Sequence, residues 1–493
     1  MKNRTAIPAS VIATARWRRR AVPVLPAVLA ILASLTAAVA PAAETEKQAA
    51  SSRPNLITIV TDDQARWAVG IYGNSECRTP NMDRIGREGI VLTNAIAATP
   101  VCSPSRATWL TGRYPTELGI TDWISPEEAE AGLGLKGQTW AQVLQQHGYR
   151  TGLVGKWHLG TQSRFHPTQL GFDHFMGFLP GGTRPMDPVL EVDGKQTPQK
   201  GPLPDLLTDD ALAFIEQHRK QPFALSLHYR APHTPWKPLP EEDLAPFRNL
   251  DPTVPLAPGA DAKQIKDWNR DYYASIHSVD RNIGRLLDAL DRWQLTENTI
   301  VLFTSDHGYN NGRHNVSTKG NGHWVAGGVR GPKRPNMWET SIRIPLLIRW
   351  PGVVKPGSRS AAPVSTIDMF RTVLGMTGIE VPAGSPAHGI DFSPLLRGEQ
   401  LPERDALFGQ YDLHNNGLAY LRMIRTSRYK LVTRARARGL DELYDLQQDP
   451  DEQRNLLRRR GQPADITRVE QDLRRQLRAW QESISDPVLT DPY

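Results

Sequence analysis

Acidic residues follow directly after two separate apolar runs of the chain. Asp62 and Asp63 come after "NLITIV", and Asp306 comes after "NTIVLFTS" with His307 beside it. Carboxylates brought close together repel each other unless they share protons or a cation, and a hard divalent cation is the simpler solution. An isolated Asp-Asp pair would be better interpreted as a turn with a helix cap. The matching acid after a second run favours a metal site.

Basic and imidazole side chains could complete such a site. A single lysine is usually a solvated surface group, and a single histidine is more often structural than catalytic. Several of them facing a metal would instead form a pocket that binds a tetrahedral oxyanion and stabilises the charge that develops during ester cleavage. The candidates for this role are Arg106, Lys156, His158, His233 and Lys319.

Cys102 lies in the stretch "VCSPSRATWLTGR". Ser103 is a plausible helix N-cap and Pro104 suits a first helical turn, so residue 102 is expected at the positive end of a helix. A thiolate could be stabilised there and act as a nucleophile, but a soft thiolate is poorly matched to a hard cation. Cys77 is the only other cysteine, and the sequence leaves a single bridge between the two open.

The elements that position these residues are predicted from the order of apolar runs. Short runs rich in Val, Ile and Leu alternate with helical patterns, which predicts an α/β fold with a large mixed, mostly parallel sheet sandwiched by helices. Four runs deliver polar groups at their carboxyl ends, the edge where open α/β sheets bind ligands. The segment Asp261–Leu295 predicts a covering helix, on which His277 is better interpreted as a helix-face residue than a ligand.

The pattern changes from about Leu396. Two antiparallel strands and a terminal amphipathic helix over Ile466–Ile484 predict a smaller α+β subdomain that contains an antiparallel sheet. We therefore divide the chain into a catalytic domain at residues 43–395 and a C-terminal subdomain at residues 396–493.

The first 42 residues are predicted to be a signal peptide. "RWRRR" is followed by an apolar run that ends in small residues, so we expect export to the periplasm or the medium and no stable membrane span after cleavage. This segment carries six Lys and Arg residues and no acid, so the formal charge of +7 becomes +1 for the remainder. Such a charge argues against a nucleic-acid partner.

Taken together, these motifs resemble the type I sulfatase family of the alkaline-phosphatase-like superfamily. The Cys102–Arg106 stretch "CSPSR" with its downstream "TGR" fits the family's C-x-P-S-R pattern. "TDDQ", "GKWHLG", "SDHG" and the C-terminal "ELYDLQQDPDEQRNL" add further matches, so the resemblance extends from about Asn55 to Leu457.

The resemblance implies a chemistry for Cys102. In that family a formylglycine-generating or sulfatase-maturating enzyme oxidises this cysteine to Cα-formylglycine, whose hydrated gem-diol attacks the sulfur of a sulfate ester. An oxygen then replaces the thiolate at the metal, which removes the mismatch with a hard cation. The resemblance implies a calcium site formed by Asp62, Asp63, Asp306, His307 and the modified Cys102.

The resemblance also implies roles for the remaining candidates. Arg106 and Lys156 would hold the hydrate, and His158 would help to expel sulfate from the covalent intermediate. His233 and Lys319 would contact the sulfate and protonate or shield the leaving oxygen. Lys333 is the alternative to Lys319, and we favour Lys319 because it precedes "GNG" as in a subset of relatives. Many relatives carry Asn in place of His307, which leaves calcium less secure than an all-oxygen shell would.

The expected activity is hydrolysis of a sulfate ester, with a sulfated carbohydrate as the favoured substrate and a small aryl or alkyl sulfate also allowed. A phosphonate or phosphodiester hydrolase of the same superfamily could use the same groups. An inactive protein that binds sulfated glycans is the alternative outside enzymes. Leaving-group specificity is expected to depend on the loops at Gly181–Lys200 and Lys319–Pro335, where His314, His323 and Trp324 are further candidates for substrate contact.

Overall fold

The computed structural model describes residues 53–490 except 135–137, 257, 328, 436–438 and 459–462. The predicted signal peptide at residues 1–42, and the predicted start of the catalytic domain at residue 43, lie outside the described residues. Among the described residues, no helix combines the length and the apolar character that crossing a bilayer requires.

A large mixed sheet forms the centre of the described structure. Its strand order is β13-β2-β12-β9-β1-β8-β4-β5-β6-β7. The five neighbours from β9 to β5 run parallel, whereas β12, β6 and β7 pair antiparallel with their neighbours. In chain order the strands are β1 (Asn55–Thr61), β2 (Ile90–Leu92), β3 (Ala95–Ile96), β4 (Arg150–Lys156), β5 (His174–Phe178), β6 (Val189–Val192), β7 (Lys195–Pro198), β8 (Phe223–His228), β9 (Thr299–Ser305), β10 (His323–Ala326), β11 (Val329–Lys333), β12 (Leu346–Arg349), β13 (Ser358–Ser360) and β14 (Val364–Ser365).

Strand β1 shows why the sheet is covered on both faces. Successive side chains of a strand point to opposite faces, and all seven residues of β1 are buried. Leu56 and Val60 pack in one apolar cluster. Ile57 and Ile59 pack in a second cluster on the other side. The predicted α/β fold with a mostly parallel sheet sandwiched by helices is therefore confirmed.

Helices cover the two faces of this sheet. The helix predicted at Asp261–Leu295 is α7, where Asp261 caps the first turn by accepting a hydrogen bond from the Gln264 backbone. His277 on this helix lies 2.9 Å from an Asp243 carboxylate oxygen, so it is a helix-face residue as expected. In chain order the helices are α1 (Pro80–Arg87), α2 (Cys102–Thr111), α3 (Pro115–Leu118), α4 (Trp140–Gln146), α5 (Leu203–His218), α6 (Glu241–Leu244), α7 (Ala262–Arg292), α8 (Glu339–Ile342), α9 (Met369–Thr377), α10 (Ser393–Leu396) and α11 (Ala464–Ser483).

The C-terminal part contains the predicted antiparallel sheet. Its strands β15 (Leu407–Leu413), β16 (Ala419–Arg425), β17 (Tyr429–Ala435) and β18 (Glu442–Asp445) pair in sequence order. Helix α11 packs on this sheet through Leu473 and Leu477. A buried ion-pair cluster connects the sheet to the preceding part of the chain, because Glu339 of α8 accepts hydrogen bonds from Arg425 and Lys430.

Candidate active site

The carboxyl ends of three parallel strands bring the predicted polar residues together. Asp62 and Asp63 follow β1, Asp306 follows β9 and Lys156 ends β4. The Asp306 backbone N–H donates to the Thr61 carbonyl over 3.0 Å, which fixes the two strand ends side by side. Parallel pairing therefore converts residues more than two hundred positions apart into one cluster.

Four of these side chains could hold a metal ion. Ligand atoms of Asp62, Asp63, Cys102 and His307 all lie within 4.8 Å of one another, and all four residues are buried. The Cys102 Sγ is 3.4 Å from Asp62 Oδ1 and 3.3 Å from His307 Nε2. Two carboxylates and an imidazole suit a divalent cation, whereas the sulfur is the one soft member of the set. The donor set fits a divalent metal, and it would fit a hard one better with an oxygen at position 102.

Asp306, also predicted as a ligand, lies at the edge of this cluster. Its Oδ1 is 3.4 Å from His307 Nε2, but its Oδ2 pairs with the Arg106 guanidinium at 3.1 Å from Nε and 3.0 Å from Nη2. Both partners of this ion pair are almost completely buried. One oxygen of Asp306 therefore faces the cluster while the other is held by Arg106.

Two buried lysines neutralise the acids. Lys156 Nζ lies 2.5 Å from Asp62 Oδ2, and Lys319 Nζ lies 2.8 Å from Asp63 Oδ1 and 3.0 Å from Cys102 Sγ. Burial alone would raise the pKa of Asp62, but the surrounding cations, Lys156 foremost, hold it well below its usual value. Burial also raises the pKa of Asp63, to about 7, against the opposing charge of Lys319.

Cys102 is the first residue of α2. Burial and the Asp62 carboxylate raise the pKa of its thiol, but Lys156 and Lys319 outweigh them and the net shift is downward. The prediction that Ser103 caps this helix is wrong, because the cap lies two residues earlier, at Val101, whose side chain makes no capping hydrogen bond. The Ser103 hydroxyl instead accepts a hydrogen bond from the Ile124 backbone over 3.0 Å. Cys102 nevertheless lies at the helix N-terminus, as expected.

The two cysteines are separate. Cys77 and Cys102 are both free thiols, and Cys77 Sγ donates to the Ala68 carbonyl. The disulfide bond between Cys77 and Cys102 that the sequence allowed is therefore not formed.

His158 is held in one tautomer. Its Nε2 lies 3.1 Å from the Ile124 carbonyl, which can only accept, so Nε2 carries the hydrogen. Its Nδ1 is buried and has no hydrogen-bond partner among the described residues. Burial, together with Lys156, lowers the pKa of His158 well below 6.5. The ring is therefore neutral, with a free lone pair at Nδ1, in a left-handed backbone conformation (φ 61°) typical of strained functional positions.

His233 reaches the cluster from the loop after β8. Its Nδ1 lies 2.7 Å from the Thr234 carbonyl and therefore donates, which leaves Nε2 facing Asp63 Oδ2 at 3.7 Å. Burial and the charge of Lys319 hold the pKa of His233 well below its usual value.

These groups form the floor of an open cavity of about 630 Å³. Lys333 lines the same cavity as Lys319 but makes no ion pair with the described acids, and burial lowers its pKa. His323 also lines it, whereas His314 stacks on Trp338 and lines a different cavity. The lining residues are Asp63, Cys102, Trp123, Ile124, Ser125, Pro126, Glu128, Ala129, His158, Gly160, Thr161, Leu179, Pro180, Gly181, Gly182, His233, Thr234, Thr318, Lys319, Asn321, His323 and Lys333.

Two supporting residues were missed in the sequence. His228, at the end of β8, places Nδ1 3.3 Å from Arg106 Nη1 and 3.2 Å from the Lys156 carbonyl. The Ser105 hydroxyl donates to the Asp306 carbonyl and so fixes the backbone of that acid. The signal for His228 was a histidine that ends a buried strand of the central sheet, and Ser105 lies inside the motif that was already singled out.

The fold and this site define a hydrolase of the alkaline-phosphatase-like superfamily, in which side chains that could hold a metal ion lie at the carboxyl edge of a mostly parallel sheet. Residues 54–379 match the sequence model of the Sulfatase family. Residues 332–483 match that of the N-sulphoglucosamine sulphohydrolase C-terminal region. The chain belongs to the sulfatase family, whose members are sulfuric ester hydrolases.

Individual relatives agree with this assignment. The chain is 30% identical over 494 residues to the N-acetylglucosamine-6-O-sulfatase of Bacteroides thetaiotaomicron, covering 82% of this chain and 83% of that protein. It is 30% identical over 486 residues to the steryl-sulfatase of Mus musculus, covering 81% and 73%. A solved structure in complex with its substrate D-glucosamine-2-N,6-O-disulfate superposes with a TM-score of 0.76 at 28% identity, covering 89% of this chain and 99% of that chain.

Proposed function

We propose that this sulfatase removes sulfate from a sulfated carbohydrate. The observation that carries the proposal is the position of Cys102, whose Sγ contacts Asp62, His307 and Lys319 at the floor of an open cavity. A relative named for a sulfated amino sugar and a solved complex with a disulfated glucosamine support the carbohydrate class.

We further propose that a formylglycine-generating or sulfatase-maturating enzyme converts Cys102 to Cα-formylglycine, whose hydrate supplies the nucleophilic oxygen. The mismatch between one sulfur and a set of carboxylates supports this modification. Calcium is the proposed metal, which would be bound by Asp62, Asp63, Asp306, His307 and residue 102, and would polarise the sulfate oxygens.

The buried cations orient this site. Lys156 and Arg106 each hold one oxygen of an acid, Asp62 and Asp306 respectively. The other oxygen of Asp62 faces Cys102 Sγ, and the other oxygen of Asp306 faces His307. Their positive charge also lies close enough to residue 102 to favour an oxyanion there. We propose that these two residues hold the modified side chain in its reactive orientation.

Three residues are assigned to the sulfate group. Lys319 Nζ contacts both Asp63 and Cys102, so it would lie against a sulfate oxygen and stabilise its charge. His158, neutral with a free Nδ1, would accept the proton that must leave the modified residue 102 when sulfate is expelled. His233 presents an unprotonated Nε2 to the same floor, so it is assigned to shield the leaving-group oxygen, and the proton that this oxygen needs is assigned to Lys319.

We also propose that the protein is exported. The basic and apolar segment at residues 1–42 supports a periplasmic or secreted location, where sulfated polysaccharides are encountered. Cell fractionation followed by N-terminal sequencing would test this. The protein should be found in the periplasm or medium without residues 1–42, and a protein confined to the cytoplasm would contradict export.

A small hydrophobic sulfate ester is the second candidate substrate. Trp123, Ile124 and Leu179 give the cavity an apolar wall that suits an aryl or steroid group, and one relative is a steryl-sulfatase. The phosphonate or phosphodiester hydrolase and the inactive glycan-binding protein are the further alternatives.

One panel of substrates separates these functions. The panel comprises oligosaccharides of heparin, chondroitin sulfate, ulvan and carrageenan, a steroid sulfate, 4-nitrophenyl sulfate, bis(4-nitrophenyl) phosphate and 4-nitrophenyl phenylphosphonate, assayed with wild type and Cys102→Ala. We expect the highest kcat/KM on a sulfated oligosaccharide and none in the variant. Preferred turnover of the steroid sulfate, the phosphodiester or the phosphonate ester would overturn the proposed substrate. Binding of a glycan without turnover, by protein with a modified residue 102, would support the inactive glycan-binding protein.

A further inference from the structure

A second cavity of about 330 Å³ adjoins the first. Thr234 and Thr318 line both cavities, so the two share a wall beside His233 and Lys319. Thr318 lies in the left-handed region (φ 64°), where β-branched residues are rarely found. The second cavity is lined by Thr234, Pro235, Trp236, Trp268, Tyr309, Asn311, Ser317, Thr318 and Arg330.

The lining of this second cavity combines aromatic, hydroxyl and amide groups with one cation. No acidic residue is among its described lining residues. Arg330, on β11, lies with its guanidinium carbon 5.4 Å from the centre of the Trp268 ring. Within the part of the chain that the structure describes, Arg330 has no carboxylate within ion-pair distance. An arginine positioned by an aromatic ring, without an acid to neutralise it, is suited to bind an external anion.

Asn311 provides an independent observation. The residue is only 1% exposed, and its Nδ2 has no hydrogen-bond partner among the described residues. Buried donors are usually paired, and Asn311 also lines this cavity, so its unpaired amide supports a partner that comes from outside the chain. Its backbone is also left-handed (φ 47°), a conformation that Asn tolerates better than most residues.

We propose that this second cavity binds the sugar unit next to the one that loses sulfate, an inference that rests on the proposed carbohydrate function. Trp268 and Trp236 would contact the apolar face of that sugar. Arg330 would bind an anionic group on it, sulfate or carboxylate, in the paired geometry that a guanidinium offers. Asn311 would donate to a ring substituent.

This arrangement predicts that kcat/KM depends on the length of the oligosaccharide and on the charge of the neighbouring sugar. A monosaccharide sulfate fills only the first cavity, whereas a longer chain that crosses the shared wall at Thr234 and Thr318 reaches Arg330. The additional contacts remain in the transition state, so they raise kcat/KM for an oligosaccharide above that for a monosaccharide. A small aryl sulfate gains nothing from them.

The test uses Arg330→Ala and Trp268→Ala, with Arg334→Ala as the matched control. Arg334 follows the same strand, packs near Trp324 and lines neither cavity among the described residues. Each protein is assayed on 4-nitrophenyl sulfate and on the mono-, di- and tetrasaccharide of whichever polysaccharide in the panel the wild type desulfates fastest. Arg330 is exposed, so Arg330→Ala is expected to fold and keeps the test valid if Trp268→Ala does not fold.

We expect wild-type kcat/KM to rise at least tenfold from monosaccharide to tetrasaccharide. Both variants should lose most of that gain while 4-nitrophenyl sulfate turnover stays within twofold, and Arg334→Ala should behave as wild type. A wild type without length dependence, or variants that lose turnover equally on every substrate, would overturn the subsite. If the wild type hydrolyses only 4-nitrophenyl sulfate, the carbohydrate proposal itself fails.

Charge on the neighbouring sugar is tested separately. Oligosaccharides whose neighbouring unit carries a sulfate, a uronate carboxylate or no charge are compared in wild type and Arg330→Ala. A loss confined to the sulfated or to the uronate series identifies the anion that Arg330 binds. An equal loss on the neutral series would contradict an anion-binding role for Arg330.

Discussion

Replacing Lys319 should damage the active site far more than replacing Lys333, although both lysines line the same cavity. Lys319 Nζ lies 2.8 Å from Asp63 Oδ1 and 3.0 Å from Cys102 Sγ, whereas Lys333 is half-buried and pairs with no described acid. Methionine preserves the length of the side chain and removes only the charge and the donors, so Lys319→Met and Lys333→Met form a matched pair.

The expected loss of kcat/KM in Lys319→Met follows from the contacts of Lys319. Removing one charged donor directed at the developing negative charge typically costs a factor of about 10² to 10³, or about 3–4 kcal/mol of transition-state stabilisation. Lys319→Met should therefore lower kcat/KM on 4-nitrophenyl sulfate by about 10² to 10³, and Lys333→Met by less than about tenfold.

Initial rates at saturating and limiting substrate, with thermal melting as a check on folding, measure both variants. If Lys333→Met is as damaging as Lys319→Met, or if Lys319→Met retains more than a tenth of wild-type activity, the assignment of Lys319 to the sulfate is refuted. Such a result would direct attention to Lys333 as the active-site lysine.

Three further changes have defined outcomes. Gly181→Ala places a methyl group 2.7 Å from His158 Nε2, so kcat should fall at least about tenfold. Gly182→Ala is the control, because no described atom lies within 4 Å of its added methyl group, and it should retain wild-type kcat. Asp210→Asn should lower the melting temperature at pH 6 but much less at pH 9. Burial lowers the pKa of His174, but its hydrogen bond to Asp210 outweighs burial and raises the pKa. The stabilisation from this pair is therefore present below pH 6.5 and is lost as the pH rises through the raised pKa. Glu339→Gln should reduce the free energy of unfolding by about 3–5 kcal/mol in denaturant titrations, because buried cations lose their partner.

The sheet and its ligand-bearing edge were predictable because they depend on local patterns. Each central strand is a short buried apolar run, and parallel strands end at a common edge, so Asp62 and Asp306 were expected to meet. The start of α2 was missed by two residues, since Ser103 has the residue type of a cap but accepts a hydrogen bond from the Ile124 backbone instead. Cap positions follow from backbone geometry that residue type alone leaves ambiguous.

Pairwise relations inside the site were not predictable from sequence. Arg106 pairs with Asp306 and Lys156 with Asp62, and nothing in the spacing of these residues distinguishes this arrangement from the reverse. Which of Lys319 and Lys333 contacts the acids likewise depends on the path of the loop before β10 and of the β10–β11 hairpin. The second cavity was also invisible, because Trp268 and Arg330 belong to elements that meet only in the tertiary structure.

The chemical state of residue 102 is the most direct test of the proposed nucleophile. Protein produced with a formylglycine-generating enzyme is digested with trypsin, the peptide Glu88–Arg106 is weighed by mass spectrometry, and sulfate release by the same sample is measured. We predict an aldehyde at position 102 and turnover that scales with the modified fraction. Sulfate release by protein that retains an unmodified Cys102 would contradict the proposed chemistry.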